Sequence, residues 1–468
     1  MKITFLGATE TVTGSKFLVA SNTDRIMVDC GLFQGYKHLR RRNRRPLPFD
    51  PGMLDAVVLT HAHIDHSGYL PLLAKNGFSG PVYCTKTTHH LCEILLPDSG
   101  RIHEEDAAYA NKKGFSSHKP AKPLYTEEDA LNVLEQFTPV EYGQSVGVGE
   151  KIDARFMQAG HILGASLIQL NDGESKLLFS GDLGRPDDPL MRAPETGHDP
   201  DFLVLESTYG KRKHGEQNAQ EELAEVVNRT INRGGLVLIP SFAVGRAQLL
   251  LYHLQQLMEK EQIPEIPVFL DSPMAVKVTD IFYKSTHIHR LEPEECEKIN
   301  EMVTFTSSVE ESKAINRQSG PRIIVSASGM ATGGRVLHHL KHYAGNEQNT
   351  VLFAGYQAGG TRGAKMLAGV PQIKIHGRHI PVRAEVTELE NLSAHADYQE
   401  ILDWLKKFKS KPEMTFLVHG SPESADNMRL LISDHLGWDC RVAEYKSRAE
   451  LKPGESQFYR PEIPETHV

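Results

Sequence analysis

Short apolar runs broken by turn residues dominate the first part of the chain. Residues 2–6, 16–20 and 25–28 are such runs, parted by Gly, Ser, Thr, Asn and Asp, and they predict a meander of strands. Residues 56–59, Ala-Val-Val-Leu, have the length and branching of a buried strand. Helical spacing follows over 69–75 and 87–96, with a strand at 82–85 between them. Residues 97–150 form a polar excursion with one helical piece at 126–136, long enough to suggest an active-site wall. Strands are expected again at 152–159, 166–171, 175–179 and 202–205. From 217 to about 357 the rhythm changes. Helical patterns (219–233, 246–261, 335–342) alternate with short apolar strands (236–239, 268–270, 322–325, 351–353). That alternation predicts a parallel sheet covered by helices, a second domain of Rossmann-like build inserted into the first. A strand at 386–389, a helix over 398–408 and a strand at 415–418 complete the pattern. The chain is therefore divided as 1–208 and 373–468 for the first domain, and 209–372 for the insertion.

The chemistry sits where strands end. The run 56–59 leads into Thr60-His61-Ala62-His63-Ile64-Asp65-His66. Two histidines two apart point the same way in extended chain, while Asp65 and His66 can face a second point nearby. Imidazole suits zinc and carboxylate a harder cation, so the set looks made for two metals. Later strand ends supply further donors. His161 lies between Gly160 and Gly164, Asp182 between Gly181 and Gly184, and a carboxylate there can bridge two cations. Glu206 ends a fourth run, and His395 and His419 stand at later boundaries. Asp29 closes the third strand, where it can fix a histidine tautomer or simply form a turn. His89, His90, His103 and His118 show no partner spacing and read as surface or structural. Five arginines crowd residues 40–45, which could contact phosphate or be a solvated charge run. The inserted block's strand ends are small and polar: Ser241-Phe242-Ala243-Val244-Gly245-Arg246, Ser326-Ala327-Ser328-Gly329 and a Gly-rich stretch from 355. Such ends let backbone N–H groups approach an anion, although ordinary turns look the same.

Bulk composition changes this picture little. The 468 residues exceed one ordinary domain, and 40% hydrophobic with 24% charged residues is ordinary for a globular protein. A net charge of -8 gives no support to global nucleic-acid affinity but is compatible with a local basic groove. No apolar run approaches a membrane span, and the N-terminus reads as a strand, not a signal peptide. Five scattered cysteines (Cys30, Cys84, Cys92, Cys296, Cys440) with no C-x-x-C point to reduced thiols and a cytoplasmic setting.

The motifs His61-Ala62-His63-Ile64-Asp65-His66, Gly160-His161, Ser180-Gly181-Asp182 and Val418-His419-Gly420 resemble those of the metallo-β-lactamase superfamily. Leu205-Glu206-Ser207-Thr208-Tyr209, Ser393-Ala394-His395-Ala396-Asp397 and the inserted α/β block resemble its β-CASP branch. That branch comprises RNA and DNA nucleases such as ribonuclease J and the endonuclease subunit of the cleavage and polyadenylation specificity factor. The resemblance implies a four-layer αββα fold with the parallel-sheet β-CASP domain inserted, in the compact two-domain bacterial form. It further implies two zinc ions, manganese also being compatible with the ligands. His61, His63 and His161 would hold the first and Asp65, His66 and His419 the second, with Asp182 bridging. Asp65, Asp182, Glu206 and His395 would form the catalytic set, His395 as general acid and Glu206 tuning it. The activity implied is hydrolysis of single-stranded RNA by metal-activated hydroxide, leaving 5′-phosphate and 3′-hydroxyl ends. DNA is not excluded. Tyr209, Ser241, Arg246, Ser326, Ser328, Gly329 and Arg335 are the candidate substrate contacts, with Phe242 and Tyr356 as further stacking rings. Rival readings are a small-molecule phosphodiesterase or thioester hydrolase on the same core, and a silent RNA-binding protein. Exonuclease or endonuclease mode and oligomeric state are not readable; a homodimer is compatible.

Overall fold

A computed structural model of the chain describes residues 1–114, 119–215, 219–355, 357–389 and 392–461. The expectations for His118 and Tyr356 fall outside these residues. The chain divides into two compact units, Met1–Lys213 with His395–Val468, and His214–Ala394.

Two mixed sheets build the first unit. One runs Gln457–Tyr459, Arg448–Glu450, Lys2–Phe5, Lys16–Ala20, Arg25–Cys30, Ala56–Val58, Val82–Thr85, Phe137–Val140 from edge to edge. The other runs Cys440–Val442, Met414–Val418, Phe202–Glu206, Lys176–Phe179, Ser166–Asn171, Asp153–Gln158, Ser145–Gly147. Their facing sides alternate along each strand. Ile3, Phe5, Phe17, Val19, Ile26 and Val28 of the first sheet share one buried core with Ala154, Phe156, Ile168, Leu170, Leu177 and Phe179 of the second. The Phe5 and Phe416 rings, one from each sheet, meet at 5.2 Å. Helices Lys86–Lys113 and Glu127–Leu134 lie with the first sheet, and Pro422–Leu436 covers the second. The result is a four-layer αββα fold.

The second unit holds a six-stranded sheet in the order Val303–Thr306, Val268–Asp271, Ile323–Ser326, Val237–Pro240, Thr350–Phe353, Glu385–Glu388. Every pairing in it is parallel. The four central strands are buried throughout, as a sheet covered on both faces requires. This is the expected inserted Rossmann-like layer, with two strands at its edges, 303–306 and 385–388, that the periodicity assigns differently or not at all.

Two expectations need correction. The return to the first unit, placed at residue 373, comes at His395. The strand expected at 386–389, after the return to the first domain, instead forms over Glu385–Glu388 and pairs with Thr350–Phe353, where a free sheet edge accepts it. The helix expected over 87–96 also continues to Lys113, through Pro97 and Gly100. Those two residues read as a stop, but both lie on the helix's buried face with Leu91, Leu95, Leu96, Ala107 and Ala110. A Cβ at Gly100 would come within 2.6 Å of the Thr126 carbonyl, so close packing on the 126–127 segment carries the helix past the break. The polar excursion thus holds the rest of that helix, the helix Glu127–Leu134 and two short strands, Phe137–Val140 and Ser145–Gly147, and among the described residues it contributes nothing to the His/Asp clusters. All five cysteines are free thiols, and among the described residues no helix is long and apolar enough to cross a membrane.

Candidate active site

The strand Ala56–Val58 delivers His61, His63, Asp65 and His66 to the rim of the first unit. The buried carboxylate of Asp29, from the neighbouring strand, organises this turn. It accepts from the Thr60 backbone N–H at 2.8 Å, from the Thr60 hydroxyl at 2.8 Å, and from His66 Nδ1 at 2.7 Å. Asp29 is thus placed to fix the His66 tautomer, with His66 Nε2 turned toward Asp182. Thr60 Oγ1 in turn lies 3.0 Å from His61 Nδ1, and Thr208 Oγ1 3.0 Å from His419 Nδ1. These two threonines were missed in the sequence. Their only local signal is that each adjoins a motif residue.

Asp182 stands at the centre, 3% exposed. Gly181 before it has φ +54°, and a Cβ there would lie 2.8 Å from Thr60, so only glycine lets the two strand ends close up. The two oxygens of Asp182 face different histidines. Oδ2 lies 3.5 Å from both His61 Nε2 and His161 Nε2. Oδ1 lies 3.3 Å from His66 Nε2 and 3.5 Å from His419 Nδ1. Donor atoms of His61, His63, His161 and Asp182 all fall within 4.8 Å of one another, as do those of Asp65, His66 and His419.

These groups fit divalent cations. Nitrogen pairs 3.1 Å apart, His61 Nε2 with His63 Nδ1 and His66 Nε2 with His419 Nε2, are near the ~3.3 Å that separates two nitrogens on a tetrahedral zinc. Asp182 Oδ1 is buried and accepts no hydrogen bond. Burial pushes His61 well below its usual pKa and His63 to about 4, so both imidazoles are neutral at pH 7, the form a cation would need. Burial alone would raise the carboxyl of Asp182; the imidazoles around it, led by His419, hold it well below the carboxylate range. Burial lowers His66, but Asp182 and Asp29 outweigh it and hold His66 toward its protonated form. A cation in contact with Asp182 would take that proton's place.

His395 sits beside this cluster. The strand Phe202–Glu206 ends in the fully buried Glu206, whose Oε1 accepts from Leu183 N–H at 2.6 Å and from His395 Nδ1 at 2.9 Å. Backbone bridging of Ala396 N–H to the Leu183 carbonyl, 2.8 Å, fixes the segment. His395 Nε2 then points inward, 3.9 Å from Asp182 Oδ2. Burial lowers the imidazole pKa, but Glu206 and then Asp182 overcome it and raise His395 to about 9. The Tyr209 ring stacks 6.1 Å from it.

The metallo-beta-lactamase superfamily model matches residues 12–214, the Beta-Casp domain 247–366, and the Zn-dependent metallo-hydrolase RNA specificity domain 379–443. Ribonuclease TTHA0252 of Thermus thermophilus is 37% identical over 90% of this chain and 94% of its own length. The chain belongs to the β-CASP branch of the metallo-β-lactamase superfamily. Transcription termination factor FttA of Methanocaldococcus jannaschii is 32% identical over 92% of this chain and 69% of its own. A crystal structure of a protein of unknown function from Enterococcus faecalis V583 superposes with TM-score 0.53 at 14% identity, over 96% of this chain and 99% of that one, which bears on fold alone.

Within the β-CASP unit the candidate contacts separate into two sets. Phe242, Arg246 and Gly329 gather at the carboxyl ends of the parallel strands, where such sheets bind ligands. A Cβ at Gly329 would lie 2.8 Å from the Phe242 ring, and one at Gly355 3.6 Å from Arg246. Ser241 is buried and its hydroxyl donates to the Phe242 carbonyl; Ser328 accepts from Thr332 N–H. Ser326 and Arg335, in contrast, serve the unit's interior. Ser326 donates to the Asp271 carbonyl at 2.8 Å and Arg335 to the Asp271 carboxylate at 2.7 Å. His339, Ser312 and Thr306 complete that carboxylate's partners. This buried network has no local sequence signal, because Asp271 lies 35 or more residues from each of these partners.

Proposed function

We propose that the protein is a metal-dependent ribonuclease. It hydrolyses phosphodiester bonds of single-stranded RNA and leaves 5′-phosphate and 3′-hydroxyl ends. The observation that carries this reading is the pairing of two features: an Asp182 whose oxygens each face a separate histidine set, and a His395 clamped by Glu206 with Nε2 directed at the same carboxylate. Membership of the family of ribonuclease TTHA0252, and the match to an RNA specificity domain, support RNA as the substrate.

His61, His63 and His161 would hold one cation, Asp65, His66 and His419 a second, with Asp182 shared; zinc suits these donors and manganese is compatible. Two such cations would lower the pKa of water and neutralise charge building on the phosphate. The protein's own residues do the rest. Asp29, Thr60 and Thr208 hold the ligand imidazoles in place. His395 gives a proton from Nε2 to the departing 3′ oxygen, and Glu206 keeps that imidazole charged while its Nδ1–H is held. Asp182 Oδ2, 3.9 Å from His395 Nε2, also favours the charged imidazole.

The test is cleavage of single-stranded RNA labelled in turn at its 5′ end and internally. Metal-replete protein, chelated protein and the His395→Ala variant are compared. The expected result is products with 5′-phosphates from the replete protein alone, with metal content unchanged in His395→Ala. Mononucleotides assign an exonuclease and larger fragments an endonuclease. No cleavage by protein carrying its metals, with turnover of small phosphodiesters instead, would overturn the reading.

A further inference from the structure

The arginine-rich stretch 40–45 is not a loose charge run. In its middle stands Asn43, 4% exposed, whose side chain accepts from Phe33 N–H at 2.9 Å and donates to the Phe33 carbonyl at 2.8 Å. This staple holds Arg42 and Arg45 over a small cleft lined also by Lys16, Phe33, Tyr69 and Tyr445. Cations and rings alternate there. The Lys16 ammonium lies 4.6 Å from the Tyr69 ring centre and 4.7 Å from that of Phe33. The Arg42 guanidinium lies 5.4 Å from Phe33 and 4.3 Å from Tyr445, and Lys446 stands 5.7 Å from Tyr445.

No carboxylate offsets this charge: among the described residues, Lys16, Arg42, Arg45 and Lys446 form no ion pair. Lys16 is the sharper case. It is 2% exposed, and its ammonium donates to the carbonyls of Gly31 and Gly14. The ammonium satisfies those two buried carbonyls and keeps a third N–H to donate, at the cost of burying a charge. The cleft also adjoins the metal centre. Gly31 separates Lys16 from Asp65, since a Cβ there would lie 1.5 Å from the Asp65 carbonyl, and Leu32 N–H donates to the Ile64 carbonyl.

Clustered cations match the phosphates of a nucleotide strand, while the buried Phe33 and Tyr69 rings pack against the cations themselves. On the same loop the half-exposed Tyr36 stacks on His38, a flat surface for a base. We propose that Lys16, Arg42 and Arg45 bind a backbone phosphate of the RNA strand outside the scissile bond. This rests on the ribonuclease reading above.

The test is binding of a fluorescent single-stranded RNA to chelated, full-length protein, read by anisotropy over a range of salt. Arg45→Gln carries it, because Arg45 is exposed and its loss leaves the fold intact. The expected result is affinity lower by roughly 3- to 10-fold, equally for unrelated RNA sequences, with the log–log salt slope reduced by about 0.7. Arg25→Gln removes the same charge from an exposed site elsewhere and is expected to leave affinity and slope unchanged. Arg42→Gln, which lines the same cleft, is expected to weaken binding by a similar factor, and wild-type affinity in it would also overturn the inference. Wild-type affinity and slope in Arg45→Gln overturn the inference. So would capture of the wild type, but not Arg45→Gln, by phosphatidylserine vesicles with RNA binding equal in both. Wild-type protein that neither binds nor cleaves RNA overturns the ribonuclease reading itself, which separates the two failures.

Discussion

Replacing Glu206 by Gln tests the acid assignment most directly. Glu206 is fully buried, and its carboxylate lies 2.9 Å from His395 Nδ1. The amide keeps the shape and removes the charge. At about 4 Å between charge centres and an effective dielectric of about 20, the lost attraction is about 4 kcal/mol, or about three pKa units. His395, raised to about 9 in the native protein, should then titrate near 6. The sign follows from the role. A general acid works while protonated, so activity is present below the pKa and disappears as pH rises through it. At pH 8 the protonated fraction falls from about 0.9 to about 0.01, roughly a hundredfold loss, while at pH 5.5 most activity remains. Bound cations lower both variants' pKa alike, so the quantity to read is the separation of the two alkaline limbs. The assay is kcat/KM for RNA cleavage from pH 5.5 to 9.5, with metal content measured in each preparation. A loss by the same factor at every pH, with the limb unmoved, would refute the reasoning and reduce Glu206 to a structural acceptor for Leu183 N–H.

Further predictions address the metal centre and the inserted unit. Asp29→Asn should weaken metal binding by about 10–100-fold in chelator competition, because His66 loses the partner that fixes its tautomer; unchanged affinity would separate Asp29 from the centre. Metal loading should release protons, and affinity should fall as pH falls, since Asp182 and Asp29 hold His66 protonated before a cation arrives; calorimetry in buffers of different ionisation enthalpy reads this. Asp271→Asn should destabilise the inserted unit by about 3–5 kcal/mol in chemical unfolding, because Arg335 is left without its counter-charge. Hydrogen bonds from His339, Ser312, Thr306 and Arg335 outweigh burial and depress the Asp271 pKa. Its stabilisation is therefore complete above the unfolded pKa of about 4 and should be lost progressively below it.

Much of this protein is legible in its sequence, for a physical reason. Strand burial has a period of two and helix burial a period near 3.6, so runs of a few residues report which element forms and which side is covered. The inserted parallel strands therefore stand at nearly the expected positions, and the metal-centre donors fall at strand ends where the chain must turn. The tertiary structure decided what depends on partners far along the chain. The helix through Pro97 persists because Gly100 packs on Thr126, which no local stop signal anticipates. Residues 385–388 join the inserted sheet because an open edge at Thr350–Phe353 accepts them. Glu206 reaches His395 across 189 residues, and the two oxygens of Asp182 separate the histidines into two sets only once both sheets have packed. Composition places five arginines between residues 40 and 45, but only the folded loop, pinned by Asn43 on Phe33, turns two of them toward Lys16. Local periodicity is a property of neighbours, whereas charge and hydrogen-bond complementarity belong to groups that meet only after the layers close.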